Sequence, residues 1–151
     1  MIREAKFCNA KKNRYFLKRE WDNSKGLLLY IMLNPSVADE IKDDPTIRRL
    51  INFTKKFDYG GFLVGNIFTK ITPNPKEIDR SKGISDKNFE ELFKLINKVD
   101  QIVYAWGNSV EEPKILKELI SSPKCFGKNF NGTPKHPLYL SSSSQLESYR
   151  D

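Results

Sequence analysis

The stretch from Leu27 to Asp39, LLLYIMLNPSVAD, decides the fold that this sequence predicts. Seven apolar residues run without interruption to Leu33, and the polar tip Asn34-Pro35-Ser36 follows them. Pro35 has no backbone N–H to donate to a β-ladder, so the regular structure stops at this point. An apolar run of this length is typical of a strand that is covered on both faces, as in a parallel sheet.

The polar tip has two interpretations, and the local sequence leaves both open. In open α/β sheets, ligands bind just outside the carboxyl ends of the strands, and Asn34 lies at such an end. The same three residues also suit a strand end that is followed by an ordinary turn.

The composition is typical of one globular domain. The chain has 151 residues, of which 38% are hydrophobic and 12% aromatic, enough for a single core. We expect residues 1–25 to form an N-terminal hairpin and lead-in, and residues 26–151 to form the core of the same domain. No apolar run can cross a bilayer and the N-terminus lacks a signal-peptide segment, so we expect a cytoplasmic protein without a membrane partner. We also expect a monomer.

The charge balance favours an anionic partner. Twenty-six lysines and arginines against 19 acidic residues give a net charge of +7, which attracts polyanions such as nucleic acids. The two cysteines, Cys8 and Cys125, are too few and too far apart for a metal cluster, and Asp39, Asp43 and Asp44 lack a further set of ligands. We therefore expect neither a metal nor a cofactor.

Strand and helix patterns alternate along the chain. A hairpin is predicted in residues 5–21, with its turn at Lys11-Lys12-Asn13. Asp44 is a good N-cap, and Pro45 a good first residue, for a helix after the central strand. The remaining predicted elements are strands at 62–68, at 102–106 and around 125–126, helices at 85–99 and 110–120, and a final short helix from Ser144. This alternation predicts a three-layer α/β/α sandwich with a mostly parallel, four-stranded central sheet.

One edge of such a sheet would collect the candidate functional residues. Asn34, Asn66, Trp106 and the segment around His136, the only histidine, all lie at or just beyond predicted strand ends. We therefore expect a pocket at this edge. The sequence contains no nucleophile elbow, which argues against a Ser-His-Asp or Cys-His hydrolase.

Two resemblances extend this interpretation. The segments LNPSVA, DDPTIRR, GGFLVGN, AWG and HPLYL are similar to motifs of a bacterial and phage family, domain-of-unknown-function family 1643, over nearly the whole chain. The segments LNPSVAD, FLVGNIFT, IVYAWGNS and KHPLYLS, over roughly residues 27–142, also resemble four signature segments of the uracil-DNA glycosylase superfamily in order and spacing.

The second resemblance implies a uracil-DNA-glycosylase-like fold with a site for an extruded base. Asn34 matches the residue that positions the water attacking the sugar C1′, and as an amide it can orient water but cannot act as a strong base. Asn66 matches the amide that reads the edge of the base, and His136 matches the histidine that hydrogen-bonds the departing base. Breaking the N-glycosidic bond builds negative charge on the base, so donors near the base lower the barrier.

Further residues are expected to border the base or to contact nucleic acid, and one of them, Arg48, lies in DDPTIRR, a segment without an obvious counterpart in the glycosylases. The residues expected to border the base are Pro35, Ser36 and Trp106. The residues expected to contact nucleic acid, with DNA preferred to RNA, are Arg48, Lys135, Tyr139 and Ser141. Tyr139 corresponds to the place where the glycosylases insert a wedge into the duplex.

This sequence departs from the glycosylase pattern at two places. Met32 replaces the glycine that usually precedes the motif residue by two positions, and a bulkier side chain here can narrow the approach to a ligand. The closing loop reads HPLYL instead of H-P-S-P-L.

We therefore predict a DNA glycosylase-like enzyme that hydrolyses the N-glycosidic bond of uracil or a modified base with water as the nucleophile. One alternative is a non-catalytic module that binds nucleic acid or a nucleotide. Another is an enzyme that acts on a free nucleoside or nucleotide. Lysines clustered beside the pocket would favour a nucleic-acid partner, and an even spread would favour a free nucleoside.

Overall fold

The computed structural model describes residues 1–150, which form seven β-strands, three α-helices and one short 3₁₀ helix. The strands are β1 (Ile2–Phe7), β2 (Arg14–Glu20), β3 (Leu27–Met32), β4 (Gly61–Asn66), β5 (Gln101–Tyr104), β6 (Lys124–Cys125) and β7 (Glu147–Ser148). The helices are α1 (Pro45–Lys56), α2 (Asp86–Ile96) and α3 (Lys114–Leu119), with the 3₁₀ helix at Pro75–Glu77.

All seven strands belong to one mixed sheet, in the order β1-β2-β4-β3-β5-β6-β7. The four central strands β4, β3, β5 and β6 run parallel to one another. Antiparallel pairs β1·β2, β2·β4 and β6·β7 extend the sheet on both sides. The apolar strand β3 therefore lies near the middle of the sheet, as its continuous hydrophobic run requires.

The prediction of a four-stranded, mostly parallel sheet like that of the uracil-DNA glycosylases is wrong, although the α/β class is right. The predicted hairpin forms, but its second strand pairs with β4 through Leu17 and Val64 and so joins the main sheet. At the other side, Glu147–Ser148 pairs with β6. A two-residue strand has no hydrophobic periodicity of its own, so the sequence could not distinguish it from the predicted final helix.

Two further local predictions differ from the structure, and one agrees with it. The left-handed residue of the hairpin turn is Lys11, with φ of 55°, and not Asn13. Helix α3 begins only after Pro113 and is therefore shorter than expected. Pro113 is its N-cap residue and makes no side-chain capping hydrogen bond. Asp44 caps α1 as predicted, because its side chain accepts a hydrogen bond from the Ile47 N–H at 2.9 Å.

Helices cover both faces of the sheet, and the sheet separates two hydrophobic clusters. Even-numbered residues of β3, such as Leu28 and Tyr30, pack on the side of α1, whose Leu50 is fully buried. Odd-numbered residues of β3 pack on the side of α2 and α3, with Leu92 and Leu116. The two faces follow from the alternation of side chains along a strand.

A buried arginine joins the hairpin to the loop that follows β3. Arg19 is 0% exposed, and its Nε donates to Asp43 Oδ1 at 2.9 Å. Its Nη2 donates to the carbonyl oxygens of Asp39 and Lys42 at 2.5 and 3.2 Å. Burial opposes the charged form of Asp43, but hydrogen bonds from Arg3 and Arg19 outweigh it and hold the pKa of this carboxyl below its usual range.

Gly60 lies where three strands approach each other. Its N–H donates to Gly26 O at 2.8 Å, and its carbonyl accepts hydrogen bonds from the N–H groups of Trp21 and Asp22. A Cβ atom at this position would overlap the carbonyl oxygen of Asp22. Only a residue without a side chain fits between these backbones.

We expect Gly60→Ala to lower the free energy of unfolding by at least about 2 kcal/mol, because the new methyl group must displace backbone. Urea denaturation of the purified variant measures this loss. Gly83→Ala is the matched control, since no atom lies within 4 Å of a Cβ at Gly83. Equal stability of the two variants would contradict the close approach at Gly60.

Candidate functional site

A cavity of about 550 Å³ opens at the carboxyl ends of the central strands. Its size lies within the range of small-molecule sites in proteins. The elements around it are the loop after β3, the start of α1, the proline-rich loop after β4, the segment after β5 and the closing loop at 136–138. The polar residues that line it are Arg14, Asn34, Ser36, Asp44, Thr46, Asn66, Thr72, Arg80, Asn108, Ser109 and His136.

The structure brings five of the predicted site residues together. Asn34, Asn66 and His136, predicted to carry the chemistry and to read the base, line this one cavity together with Ser36 and Trp106. The expectation of a common pocket at the strand ends agrees with this arrangement. The roles assigned to these residues stay predictions.

Asn34 has an orientation that its hydrogen bonds define. Its Nδ2 donates to the carbonyl oxygens of Pro35 and Thr72, each at 3.0 Å. These bonds join the tip of β3 to the proline-rich loop, where the Thr72 N–H also donates to Pro35 O. Within residues 1–150, no donor reaches Asn34 Oδ1. This oxygen is therefore available to accept a hydrogen bond from a water molecule or a ligand.

Asn66 is a buried polar residue of the cavity wall. Its side chain is 1% exposed, yet neither Oδ1 nor Nδ2 has a hydrogen-bond partner in residues 1–150. Its backbone carbonyl is satisfied by Asn88 Nδ2 at 2.7 Å. An unpaired buried polar group costs roughly 1–3 kcal/mol. An acceptor and a donor, side by side on a rigid strand, are thus left for a ligand with a complementary edge.

His136 presents a hydrogen-bond donor to the cavity. Its Nδ1 accepts the Leu138 N–H at 3.1 Å, so the proton of the neutral ring is on Nε2. The ring is accessible through the open cavity, but the surrounding protein desolvates it enough to lower its pKa, while Asp44 acts in the opposite direction. The lowered pKa favours the neutral ring near pH 7, with Nε2 as a donor.

Trp106 is part of the core as well as of the cavity wall. It is 2% exposed, and its ring centroid lies 4.5 Å from that of Tyr104. Its Nε1–H donates to Val110 O at 2.7 Å and is not free for a ligand. Trp106 can therefore offer apolar surface, but no hydrogen bond, to a bound molecule.

The other predicted contact residues do not line the cavity. Pro35 is buried beneath the strand tip. Arg48 is exposed on α1 and donates to Asp43 O at 3.3 Å. Lys135 immediately precedes His136, and Tyr139 is 94% exposed in the closing loop. Ser141 lies further along this loop and bonds Ser143 through its hydroxyl. These residues remain available only to a partner that extends beyond the cavity.

Sequence reasoning missed three charged residues of the cavity. Arg14 is 3% exposed, and its Nη1 donates to Ala38 O at 2.8 Å. Burial lowers its pKa to about 10, against the attraction of Asp44. Arg80 comes from the proline-rich loop, and Asp44 was expected only as a helix cap. Nothing in the sequence distinguishes Arg14 or Arg80 from the other basic residues, because long-range pairing of β2 and the loop path determine their position.

Residues 1–150 lack three features. They contain no group of three or more His, Cys, Asp or Glu side chains arranged to hold a metal ion. None of their helices is long and apolar enough to span a bilayer. No lysine among them lines the cavity.

The fold and the site define an α/β protein with a cavity, lined by apolar surface and several polar side chains, at the carboxyl ends of its parallel strands. Within this class, the chain belongs to the family described as "Protein of unknown function (DUF1643)", whose model matches residues 14–138. This match confirms the resemblance that extends over nearly the whole chain. No curated protein and no solved structure matches significantly, so the resemblance to the uracil-DNA glycosylases stays a prediction.

The lowered pKa of His136 predicts a specific pH dependence of stability. Between the folded pKa and the unfolded value of about 6.5, the unfolded chain binds more protons, so acidification from about pH 7.5 to 5 destabilises the wild type. His136→Gln removes this contribution and should lose less stability over the same range. Urea midpoints of both proteins at several pH values measure the difference, which is small for a solvent-accessible ring. Parallel losses in the two proteins would contradict a lowered pKa.

Proposed function

We propose that this protein hydrolyses the N-glycosidic bond of uracil or a modified base, and that the base enters the cavity at the strand ends. The proposal rests chiefly on the buried Asn66 amide, whose donor and acceptor have no partner in residues 1–150. An amide of this kind is complementary to a base edge that carries one acceptor and one donor. The overall fold does not support the proposal, because the observed sheet differs from the predicted glycosylase-like sheet.

The neighbouring side chains support hydrolysis as well as binding. A base that leaves the sugar takes the electron pair of the C1′–N bond and becomes negatively charged. The Nε2–H of His136 can donate a hydrogen bond to it without transferring a proton. The Oδ1 of Asn34 can orient the attacking water, because Nδ2 is held by two backbone carbonyls.

The proton of the attacking water needs an acceptor that Asn34 cannot provide. Asp44 is the carboxylate among the described residues of the cavity wall, and it is 8% exposed. We assign it the role of general base, in addition to its capping of α1. In the proposed step, the water oxygen bonds to C1′, the C1′–N bond breaks, and the water proton moves to the Asp44 carboxylate.

An enzyme for a free nucleoside or nucleotide is the second candidate. The observation that favours it is the lining of the cavity, which includes Arg14 and Arg80 but no lysine from residues 1–150. A nucleic-acid substrate would favour lysines clustered beside the cavity, and the described lining contains none. A non-catalytic binding module would use the same Asn66 contact without product formation.

The direct test is base release from defined substrates. Single-stranded and duplex oligonucleotides with uracil or hydroxymethyluracil, and the corresponding free nucleosides and monophosphates, are incubated with the protein. We expect alkali-labile abasic sites, or free base from the small substrates. Abasic sites in an oligonucleotide, detected as cleavage after alkali treatment, indicate the first candidate. Release of base from the small substrates alone indicates the second. Binding without any release by the wild type, over a broad panel of bases, would contradict the hydrolase proposal.

Three variants test the assigned roles. Asn34→Ala and His136→Ala should each slow release by on the order of a hundredfold with binding nearly intact, because both contacts strengthen in the transition state. Asp44→Asn should slow it comparably and preserve thermal stability, since Asn is also a good N-cap. Lys98→Gln, an exposed residue beyond α2, is the matched control. Unchanged rates in all three cavity variants would exclude these roles.

The proposal for a nucleic-acid substrate also predicts salt-sensitive binding. Each phosphate that a lysine neutralises releases counterions, so log affinity should fall linearly with log salt concentration. Replacement of the exposed Lys11 and Lys12 by Gln should reduce the slope by up to about 2. Fluorescence anisotropy with a labelled oligonucleotide measures this. An affinity that does not depend on salt would count against a strand as the partner.

A further inference from the structure

The cavity holds more positive charge than a neutral base requires. Two guanidinium groups, those of Arg14 and Arg80, line it, while Asp44 is the carboxylate among its described residues. The pKa of His136 is lowered, so its ring adds little positive charge near pH 7. The charged lining of the cavity thus carries a net charge of about one positive unit, counted over the described residues.

Neither guanidinium is fully satisfied by the described part of the chain. The Nε atoms of Arg14 and Arg80 are both buried and lack a hydrogen-bond partner there. Each side chain donates one hydrogen bond within residues 1–150, to a backbone carbonyl: Arg14 Nη1 to Ala38 O at 2.8 Å, and Arg80 Nη1 to Ile78 O at 3.3 Å. No carboxylate of residues 1–150 forms an ion pair with either within 4.0 Å.

Burial makes this arrangement unfavourable for Arg14 in the absence of a ligand. Its side chain lies among protein atoms, with Asp44 and Asp39 attracting its charge from a distance and Arg19 repelling it. Burial outweighs these attractions and lowers its pKa, although the group remains charged near pH 7. A bound anion would compensate the charge and supply hydrogen-bond acceptors.

We propose that Arg14 and Arg80 form an anion subsite that holds the phosphate of a nucleotide, while Asn66 binds its base. The planar fork of an arginine matches a phosphate in geometry and charge, which a lysine does only as a point charge. This inference rests on the proposed function for the base, but the phosphate contact itself does not require hydrolysis. The substrate class is therefore a nucleoside phosphate, either free or as one unit of a strand.

The test measures binding rather than turnover, so that it stands apart from the proposed hydrolysis. Isothermal titration in a phosphate-free buffer uses inorganic phosphate, deoxyuridine and deoxyuridine monophosphate as probes. We expect wild-type protein to bind phosphate, and to bind the monophosphate at least about tenfold more tightly than the nucleoside if uracil is accepted. If phosphate binds but the uracil compounds do not bind more tightly, the subsite is still supported. A base other than uracil is then the one that the cavity accepts.

Arg80→Gln is the decisive variant, since Arg80 lies in a surface loop and is only partly buried. It should weaken phosphate binding at least about tenfold, the loss expected when a charge-assisted hydrogen bond is removed. Arg14→Gln should do the same, with a thermal melt to verify folding. Lys98→Gln removes one exposed positive charge and should remain within twofold of the wild type. Failure of the wild type to bind phosphate, or an Arg80→Gln affinity equal to that of Lys98→Gln, would overturn the subsite.

A comparison of ligands identifies the source of the phosphate. A short oligonucleotide that binds more tightly than the mononucleotide, and loses that advantage in Arg80→Gln, indicates a phosphate within a strand. Tighter binding of the mononucleotide indicates a free nucleotide. Both results support the subsite, whereas base release without any effect of Arg80→Gln would support the hydrolase and reject the subsite.

Discussion

The register of β3 between two parallel neighbours is the constraint on which the rest of the structure depends. Met32 stands opposite Asn66 on β4, and Ile31 stands opposite Tyr104 on β5. This pairing aligns the carboxyl ends of three strands and directs Asn66 to the face that α1 covers. A slip of one residue would turn Asn66 to the opposite face of the sheet. The cavity at the strand ends therefore depends on this register of β3 and β4.

Two arginines of the hairpin hold the other wall of the cavity in place. Arg14 donates to Ala38 O, and Arg19 donates to Asp39 O and Lys42 O, so the loop after β3 is bonded to β2 along its length. This loop leads into Asp44, which starts α1 and faces the cavity. The hairpin is thus part of the site, although its sequence suggests an appendage.

Local sequence signals predicted the elements that depend on local chemistry. The apolar run of β3 and the Asp44-Pro45 start of α1 were read correctly, because strand burial and helix capping leave a pattern within a few residues. The common cavity of Asn34, Asn66 and His136 followed from strand polarity together with the resemblance. The prediction of the sheet was wrong because the outer strands pair residues that are far apart in sequence, such as Leu17 with Val64. Arg14 and Arg80 were missed for the same reason.

The Asn66 amide, buried and without a hydrogen-bond partner within residues 1–150, is the group that we propose binds the base. Its side-chain NH₂ gives a distinct pair of signals in a ¹⁵N-labelled protein, and those of Asn97, which bonds Phe93 O away from the cavity, serve as the control. The protein is titrated with uracil, thymine, cytosine, adenine, guanine and hypoxanthine. We predict that at least one base shifts the Asn66 signals with saturation and leaves those of Asn97 unchanged. Asn66 signals that stay in place with every base would contradict it.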